Sequence, residues 1–176
     1  MNKYTELARK TVETYAKTGK IIPVPKDLPE DFYRAQKGVF VTIYKAETDK
    51  KNLRGCVGTF EPTKSNIAEE IIQNAVWASQ EDNRFSPVQS DELNSLSYEI
   101  SLLEPPDQIY STADLDSQKY GVIIKATDGR AGLLLPDIEG VDSPAYQIEI
   151  AARKGGIDIQ HEEFSLFRFT VTKFKE

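Results

Sequence analysis

The chain has 176 residues, 39% hydrophobic and 28% charged, a composition that suits one folded domain and argues against disorder. Acidic residues outnumber basic residues 28 to 22, and the net charge of -6 disfavours non-specific nucleic-acid binding, which depends on neutralising phosphates. The single cysteine, Cys56, excludes an intrachain disulfide and fits a reducing cytoplasm. The start has no signal-peptide core and no apolar run reaches the ~18 residues of a membrane span, so we expect a cytoplasmic protein without a membrane partner.

The first half of the chain predicts a helix followed by a hairpin. Apolar residues at helical spacing indicate a helix over residues 5–17 that stops at Gly19. The β-branched and aromatic run Val39–Tyr44 is typical of a strand. A polar turn over residues 46–52 then leads into a second strand, Leu53–Phe60, which predicts a β-hairpin with a long loop.

The middle of the chain predicts a helix and a half-buried strand. Asn66 is a candidate N-cap and Glu69, three residues later, completes a capping-box pattern for a helix that runs to Gln80. Apolar residues then alternate with polar ones over residues 96–102, which indicates a strand with one buried face. Its polar members, Glu99 and Ser101 among them, are expected to face solvent, and the alternative is that they line a groove.

The last third predicts a second hairpin, a helix and a closing strand. Asp128-Gly129 between two apolar segments is the strongest short hairpin signal in the chain. Ser143 before Pro144 has the form of an N-cap and first helical residue, and Gly155 fits the C-terminal cap. Alternation over residues 166–174 indicates a final strand. Hairpins with interspersed helices predict the α+β class, with flanking helices and a largely antiparallel or mixed sheet.

The segment LRGCVGTF, residues 53–60, contains the residues best suited to catalysis or ligand binding. In a regular strand Arg54 and Cys56 would share one face, and a fixed guanidinium stabilises the thiolate, the reactive form of cysteine. Gly55 and Gly58 in a strand indicate a bulge or a close approach by other atoms, and Thr59 offers a hydroxyl. Cys56 and Arg54 are therefore catalytic candidates, and the alternative is a buried cysteine in a tightly packed strand.

The residue pattern gives little support for a histidine-assisted, metal or cofactor site. The only histidine, His161, lies in an acidic loop, and nothing in the spacing brings it to Cys56. One cysteine and one histidine cannot build a common zinc site, and no spacing typical of metal ligands is present. Phosphate-loop, dinucleotide and hydrolase motifs are also missing, so no metal or cofactor is predicted.

LRGCVGTF resembles the octapeptide LRGCIGTF of the AMMECR family, and further segments resemble that family in the same order: LARKTVETY, GVFVTIYK, EDNRFSPVQSDEL, YEISLLEPP, GRAGLLLPD and FRFTVTKF. The resemblance implies a single AMMECR-like domain over residues 1–176, an α+β fold of two unequal lobes with the octapeptide near a cleft between them. It implies no established reaction, although a role in RNA or protein modification has been supposed for the family.

The resemblance also nominates site residues. Those of the octapeptide are Arg54, Gly55, Cys56, Gly58, Thr59 and Phe60; those of the RF-x-P turn are Arg84, Phe85 and Pro87. Two departures concern the later part of the chain. Many members have a cysteine where this chain has Ala152, and others have Gly-Trp where residues 139–142 read EGVD.

Three functional hypotheses follow. The first is an enzyme or enzyme component acting at the octapeptide. The second is a non-catalytic binding or scaffold module for the Memo-like and radical SAM proteins with which bacterial and archaeal members are associated. The third, nucleic-acid binding through the basic first helix and the aromatic last strand, is disfavoured by the net charge of -6. The sequence leaves the oligomeric state open.

Overall fold

The computed structural model describes residues 2–47 and 50–176 and divides the chain into two compact units. The first unit extends to Leu102 and includes Lys173–Glu176, and the second is Leu103–Thr172. Each unit contains one four-stranded sheet and helical segments, so the predicted α+β class with a largely antiparallel arrangement is confirmed. The single domain over residues 1–176 and the cleft implied by the family resemblance stay predictions.

In the first unit, helices pack on one face of a sheet. Helices α1, α2 and α3 are Lys3–Thr18, Asp31–Arg34 and Ile67–Gln80; strands β1, β2, β3 and β8 are Gly38–Glu47, Lys50–Thr59, Leu96–Leu103 and Val171–Lys175. The sheet order is β2-β1-β3-β8, which makes β2 an edge strand. Helix α3 packs on β1 and β2 and against α1, and the buried side chains between them form the core of this unit.

In the second unit, one α-helix packs on a four-stranded sheet. Strands β4 to β7 are Asp107–Ile109, Gly121–Ala126, Ala131–Leu134 and Phe164–Phe169, and helix α4 is Pro144–Gly155. The sheet order is β4-β7-β5-β6, and α4 packs on β5 and β6. The predicted hairpin at Asp128-Gly129 joins β5 to β6, with Gly129 at a φ of 92° that suits glycine.

The helix ends follow their local sequence signals. The side chain of Asn66 accepts a hydrogen bond from the backbone N–H of Glu69 at 3.0 Å, so α3 begins as predicted. Gly19 ends α1 at a φ of 69°. Helix α4 begins after Ser143, as expected, but its left-handed cap is Gly156, one residue beyond the predicted Gly155.

Three expectations about strands are wrong, two of them about where strands end. Strands β1 and β2 continue into the predicted turn and pair as far as Glu47 with Lys50; residues 48 and 49 of that turn lie outside the described residues. The closing strand is two strands, β7 and β8, which separate at Thr170 because they pair in different sheets.

The third concerns the polar face of β3, which is buried, contrary to the expectation that it faces solvent. Glu99 is 9% exposed and Ser101 is 1% exposed. Strand β3 lies between β1 and β8 in the sheet, so side chains of two neighbouring strands flank this face and reduce its exposure. Burial of this face means that its polar side chains must be explained by contacts rather than by hydration.

Candidate functional site

The octapeptide forms most of the edge strand β2 and places its thiol on the face of the sheet opposite α3, which we call the far face. Cys56 lies opposite Thr42 of β1, with its Sγ 3.4 Å from the Oγ1 of Thr42. The residues on either side of Thr42, Val41 and Ile43, are fully buried in the core against α3. Because side chains alternate along a strand, Thr42 and Cys56 point away from α3.

A register shift at Arg54 interrupts the alternation assumed from the sequence. Ile43 pairs with Gly55, whereas the next residue, Tyr44, pairs with Leu53, so the pairing skips Arg54. Such a bulge adds one residue to the strand and redirects the side chains around it. The prediction that Arg54 and Cys56 share a face is therefore wrong.

Arg54 is held by Glu92, which precedes β3. Its Nε and Nη2 donate hydrogen bonds to the Glu92 carboxylate at 3.0 and 2.7 Å, and Lys45 donates a third at 3.0 Å. The side chains of Arg54 and Glu92 are only 12% and 11% exposed. These bonds, chiefly those from Arg54, lower the pKa of Glu92 to about 2. The guanidinium of Arg54 thus has a structural partner in Glu92.

The backbone of Cys56 is fixed from outside the sheet by Asp82 and Arg84, which follow α3. The Oδ2 of Asp82 accepts a hydrogen bond from the Cys56 N–H at 2.8 Å, and Nη2 of Arg84 donates one to the Cys56 carbonyl at 3.3 Å. An edge strand otherwise leaves such groups open to a further strand. The Asp82–Arg84 pair satisfies both polar groups and holds the cysteine in place.

The Arg84 guanidinium also interacts electrostatically with the Cys56 thiolate. Its Nε and Nη2 donate to the two carboxylate oxygens of Asp82 at 2.9 and 2.7 Å, which lowers the pKa of Asp82 to about 2. The pKa of Arg84 is raised, mainly by its hydrogen bond to Asp82 and in smaller part by the charge of a Cys56 thiolate. Arg84 is 52% exposed and lies over the Phe85 ring, 5.4 Å from its centroid. Its remaining amino group, Nη1, donates no hydrogen bond to any described residue.

The two glycines of the octapeptide are required by close contacts. A Cβ on Gly55 would lie 2.1 Å from the backbone oxygen of Ala78, where α3 crosses the strand. A Cβ on Gly58 would lie 2.3 Å from the Phe40 ring. The predicted close approach of other atoms is therefore present at both positions, made by a helix backbone at one and an aromatic ring at the other.

Thr59 donates a hydrogen bond to a buried carboxylate. Glu70 of α3 is 1% exposed, and the Thr59 hydroxyl donates to it at 2.6 Å. Three further donors complete the cluster: the Thr63 hydroxyl at 2.9 Å and the backbone N–H groups of Thr63 and Lys64 at 2.8 and 2.7 Å. This cluster ties the segment after β2 to α3 and gives the Thr59 hydroxyl a structural role.

The other nominated residues lie at the surface. Phe60 and Phe85 are partly buried, and Pro87 is exposed. The side chain of Gln89 donates to the Pro87 carbonyl at 3.1 Å, and the N–H of the buried Val88 donates to Ser79 of α3 at 2.8 Å. These bonds fix the course of the RF-x-P turn beside β2.

Tyr44 is a neighbour of Cys56 that the sequence interpretation missed. It lies two residues beyond Thr42 on the far face and is partly buried. Burial, with smaller effects from the charges of Glu99 and Cys56, raises the pKa of Tyr44 to about 12. Asp82 and Glu92 were missed as well. The alternation of Val39–Tyr44 could have flagged Tyr44, whereas no local pattern connects Asp82 or Glu92 to β2.

His161 interacts with a residue of its own unit. His161 belongs to the second unit, is 77% exposed and lies 2.9 Å from Asp158. In residues 2–47 and 50–176, no three histidine, cysteine or acidic side chains are placed to hold a metal ion together. The helices described there include none with the length and apolar character needed to cross a membrane.

Comparison with known proteins agrees with the fold and gives a family. The sequence profile described as AMMECR1 matches residues 5–174. A protein of Thermotoga maritima is 41% identical over 172 residues, covering 98% of this chain and 97% of that protein. Protein CA_C1420 of Clostridium acetobutylicum is 42% identical over 175 residues, which are 98% of this chain but 36% of that protein. The crystal structure of the uncharacterized protein PH0010 of Pyrococcus horikoshii is 30% identical, with a TM-score of 0.88 over 98% of this chain and 89% of that one.

Proposed function

We propose, from the premise that this chain belongs to the AMMECR1 family, that the protein acts through the Cys56 thiol as an enzyme or enzyme component. The observation that carries the proposal is the combination of a partly exposed cysteine residue and a guanidinium fixed at its backbone. Cys56 is partly exposed, although free cysteine is among the most buried residue types. Arg84 contacts the backbone of the same residue and is itself half exposed.

Arg84, in place of Arg54, supports the thiolate. A positive charge beside a partly exposed cysteine favours ionisation, and the thiolate is the nucleophilic form. The adjoining Asp82 reduces this effect, but it also fixes the guanidinium through two hydrogen bonds. Arg84 retains the Nη1 amino group for a polar or anionic part of a substrate, the function that a planar guanidinium performs best.

The reaction class that fits is addition of the thiolate to an electrophilic carbon. In such an addition the thiolate lone pair forms the C–S bond, the π pair of the carbonyl or imine moves to its heteroatom, and a solvent proton neutralises the product. The Asp82–Arg84 pair would hold Cys56 in one orientation during this step. Modification of RNA or protein, together with Memo-like and radical SAM partners, is the setting in which we place this chemistry.

Alkylation kinetics test the proposal. We expect Cys56 to react in the folded protein with neutral iodoacetamide and with anionic iodoacetate, and Arg84→Gln to slow iodoacetate more strongly. Removing one exposed charge should lower the iodoacetate rate at neutral pH by about threefold or more. Arg153→Gln, which removes an exposed arginine that pairs with Glu149 in the second unit, is the matched control. Equal rates in wild type and Arg84→Gln would refute the role of Arg84.

A second candidate, a non-catalytic docking module for Memo-like and radical SAM partners, is favoured by a different observation. Arg54 and Thr59, two polar members of the octapeptide, are bound by the carboxylates of the partly buried Glu92 and the buried Glu70. A docking surface requires a fixed shape, which such internal hydrogen bonds provide, and it requires no reactive group. Anaerobic pull-down of both partners by wild type and Cys56→Ser alike, with an inert Cys56, would favour docking over the thiol chemistry.

A further inference from the structure

A row of polar side chains continues from Cys56 across the far face of the first sheet. Cys56 lies on β2, Tyr44 on β1, Glu99 on β3 and Lys175 on β8, and these strands are neighbours in that order. Each of these side chains alternates with a core residue of its strand, for example Glu99 with Tyr98 and Ile100. The row therefore lies on one face, and all its members belong to the first unit.

Glu99 is the unusual member of this row. Its side chain is 11% exposed, and a carboxylate so far removed from water needs hydrogen bonds or a counter-charge. The Nζ of Lys175 lies 3.2 Å from Oε2 of Glu99, and no other described residue donates a hydrogen bond to this carboxylate. Lys175 is itself 60% exposed, so solvent can hydrate its ammonium when a second ammonium takes its place at Glu99.

A cavity opens beside this carboxylate. It has a volume of about 220 Å³ and is lined by Tyr44, Tyr98, Glu99, Lys175 and Glu176. The second carboxylate, Glu176, is already neutralised, because Arg9 donates to it at 2.6 Å and the Tyr98 N–H at 3.2 Å. Burial raises the pKa of Tyr44 to about 12, so its phenol stays neutral at physiological pH. Glu99 is therefore the carboxylate of the cavity whose counter-charge, Lys175, is exposed and can be exchanged.

We propose that this cavity binds an alkylammonium group of a ligand, with Glu99 as its counter-charge and Lys175 as the internal group that the ligand displaces. The contact between Nζ of Lys175 and Glu99 shows that an ammonium fits there. Tyr44 lies between the cavity and Cys56 along the row, so a ligand held by its ammonium end would extend toward the thiol. That last step rests on the proposed function, whereas ammonium binding at Glu99 does not.

Titration of the full chain with n-butylammonium chloride, followed by NMR of the Glu99 side-chain carboxyl and the Tyr44 ring, tests the proposal. We expect a saturable shift that neutral n-butanol does not produce. Lys175→Met should bind about two- to fivefold more tightly, since the internal ammonium no longer competes for Glu99. Glu99→Gln should bind at least about tenfold more weakly, because the amide keeps the shape and loses the charge.

Controls separate this proposal from the thiol chemistry. Lys17→Met, which removes an exposed lysine paired with Glu13 on α1, should bind n-butylammonium like wild type. Absence of a saturable shift in both wild type and Lys175→Met, or unchanged binding in a folded Glu99→Gln variant, would overturn the ammonium site. Alkylation of Cys56 is measured in the same samples. Ammonium binding with an inert Cys56 removes the proposed function alone, and a reactive Cys56 without ammonium binding removes the site alone.

Discussion

Replacement of Glu92 by glutamine should show how much the ion pair with Arg54 contributes to the free energy of unfolding. The Glu92 carboxylate accepts four hydrogen bonds, from two nitrogens of Arg54, from Lys45 and from the Gln89 N–H. Its pKa of about 2 lies below the ordinary 4.5, which corresponds to roughly 3 kcal/mol of stabilisation at neutral pH. Glu92→Gln leaves Arg54 poorly compensated, so we expect a loss of about 3 kcal/mol in the free energy of unfolding.

The pH dependence gives the sign of the effect. Because the folded pKa is depressed, the stabilisation is complete above pH 4.5 and is lost as the pH falls toward 2. Urea unfolding from pH 7 to pH 2.5 should therefore show wild type and Glu92→Gln converging at low pH. Asp82 also loses stabilisation in acid, and the difference between the two proteins cancels its contribution. Glu30→Gln, at an exposed pair with Arg34, should change stability by less than about 1 kcal/mol. A gap between wild type and Glu92→Gln that stays constant with pH would refute the reasoning.

Three further substitutions test the packing of the octapeptide and the sheet. Gly55→Ala places a Cβ 2.1 Å from the Ala78 oxygen, so thermal unfolding should show a loss of about 2 kcal/mol or more; an unchanged Tm would contradict the helix crossing. Glu70→Gln exchanges an acceptor for an amide donor among four donors and should lower the unfolding free energy in urea by about 2–4 kcal/mol, unless the cluster is open to water. Ser101→Ala removes a buried hydroxyl that has no hydrogen-bond partner in the described structure and should be neutral or stabilising by up to about 1 kcal/mol, whereas clear destabilisation in the same assay would reveal a partner such as water.

The elements that the sequence predicts well are those determined by neighbouring residues. The Asn66 cap, the stop at Gly19 and the hairpin at Asp128-Gly129 each depend on a few adjacent positions, and all three are present. Division of the last strand at Thr170 depends on which sheet each half joins, and no local pattern carries that information. The burial of Ser101 likewise depends on tertiary structure, because the sheet order determines which side chains flank it.

The candidate site likewise contains some features that local sequence predicts and others that depend on the tertiary structure. The octapeptide could be selected from its residues, and the close approach at Gly55 and Gly58 follows from glycine in a strand. The wrong pairing of Arg54 with Cys56 came from assuming a regular strand, since a bulge depends on the register with β1. The actual neighbour, Arg84, is 28 residues away in sequence and reaches Cys56 only because α3 folds back over β2.

The reactivity of Cys56 in the folded protein is the most direct test of the central claim. Mass spectrometry can follow iodoacetamide labelling at neutral pH in native buffer and in denaturant, with Cys56→Ser as the blank. The thiol of the partly exposed Cys56 should be labelled in native buffer at a rate within about tenfold of the unfolded chain, and that rate should not change when an added stabiliser suppresses unfolding. Labelling that occurs only as the protein unfolds would contradict the account and make Cys56 a packing residue.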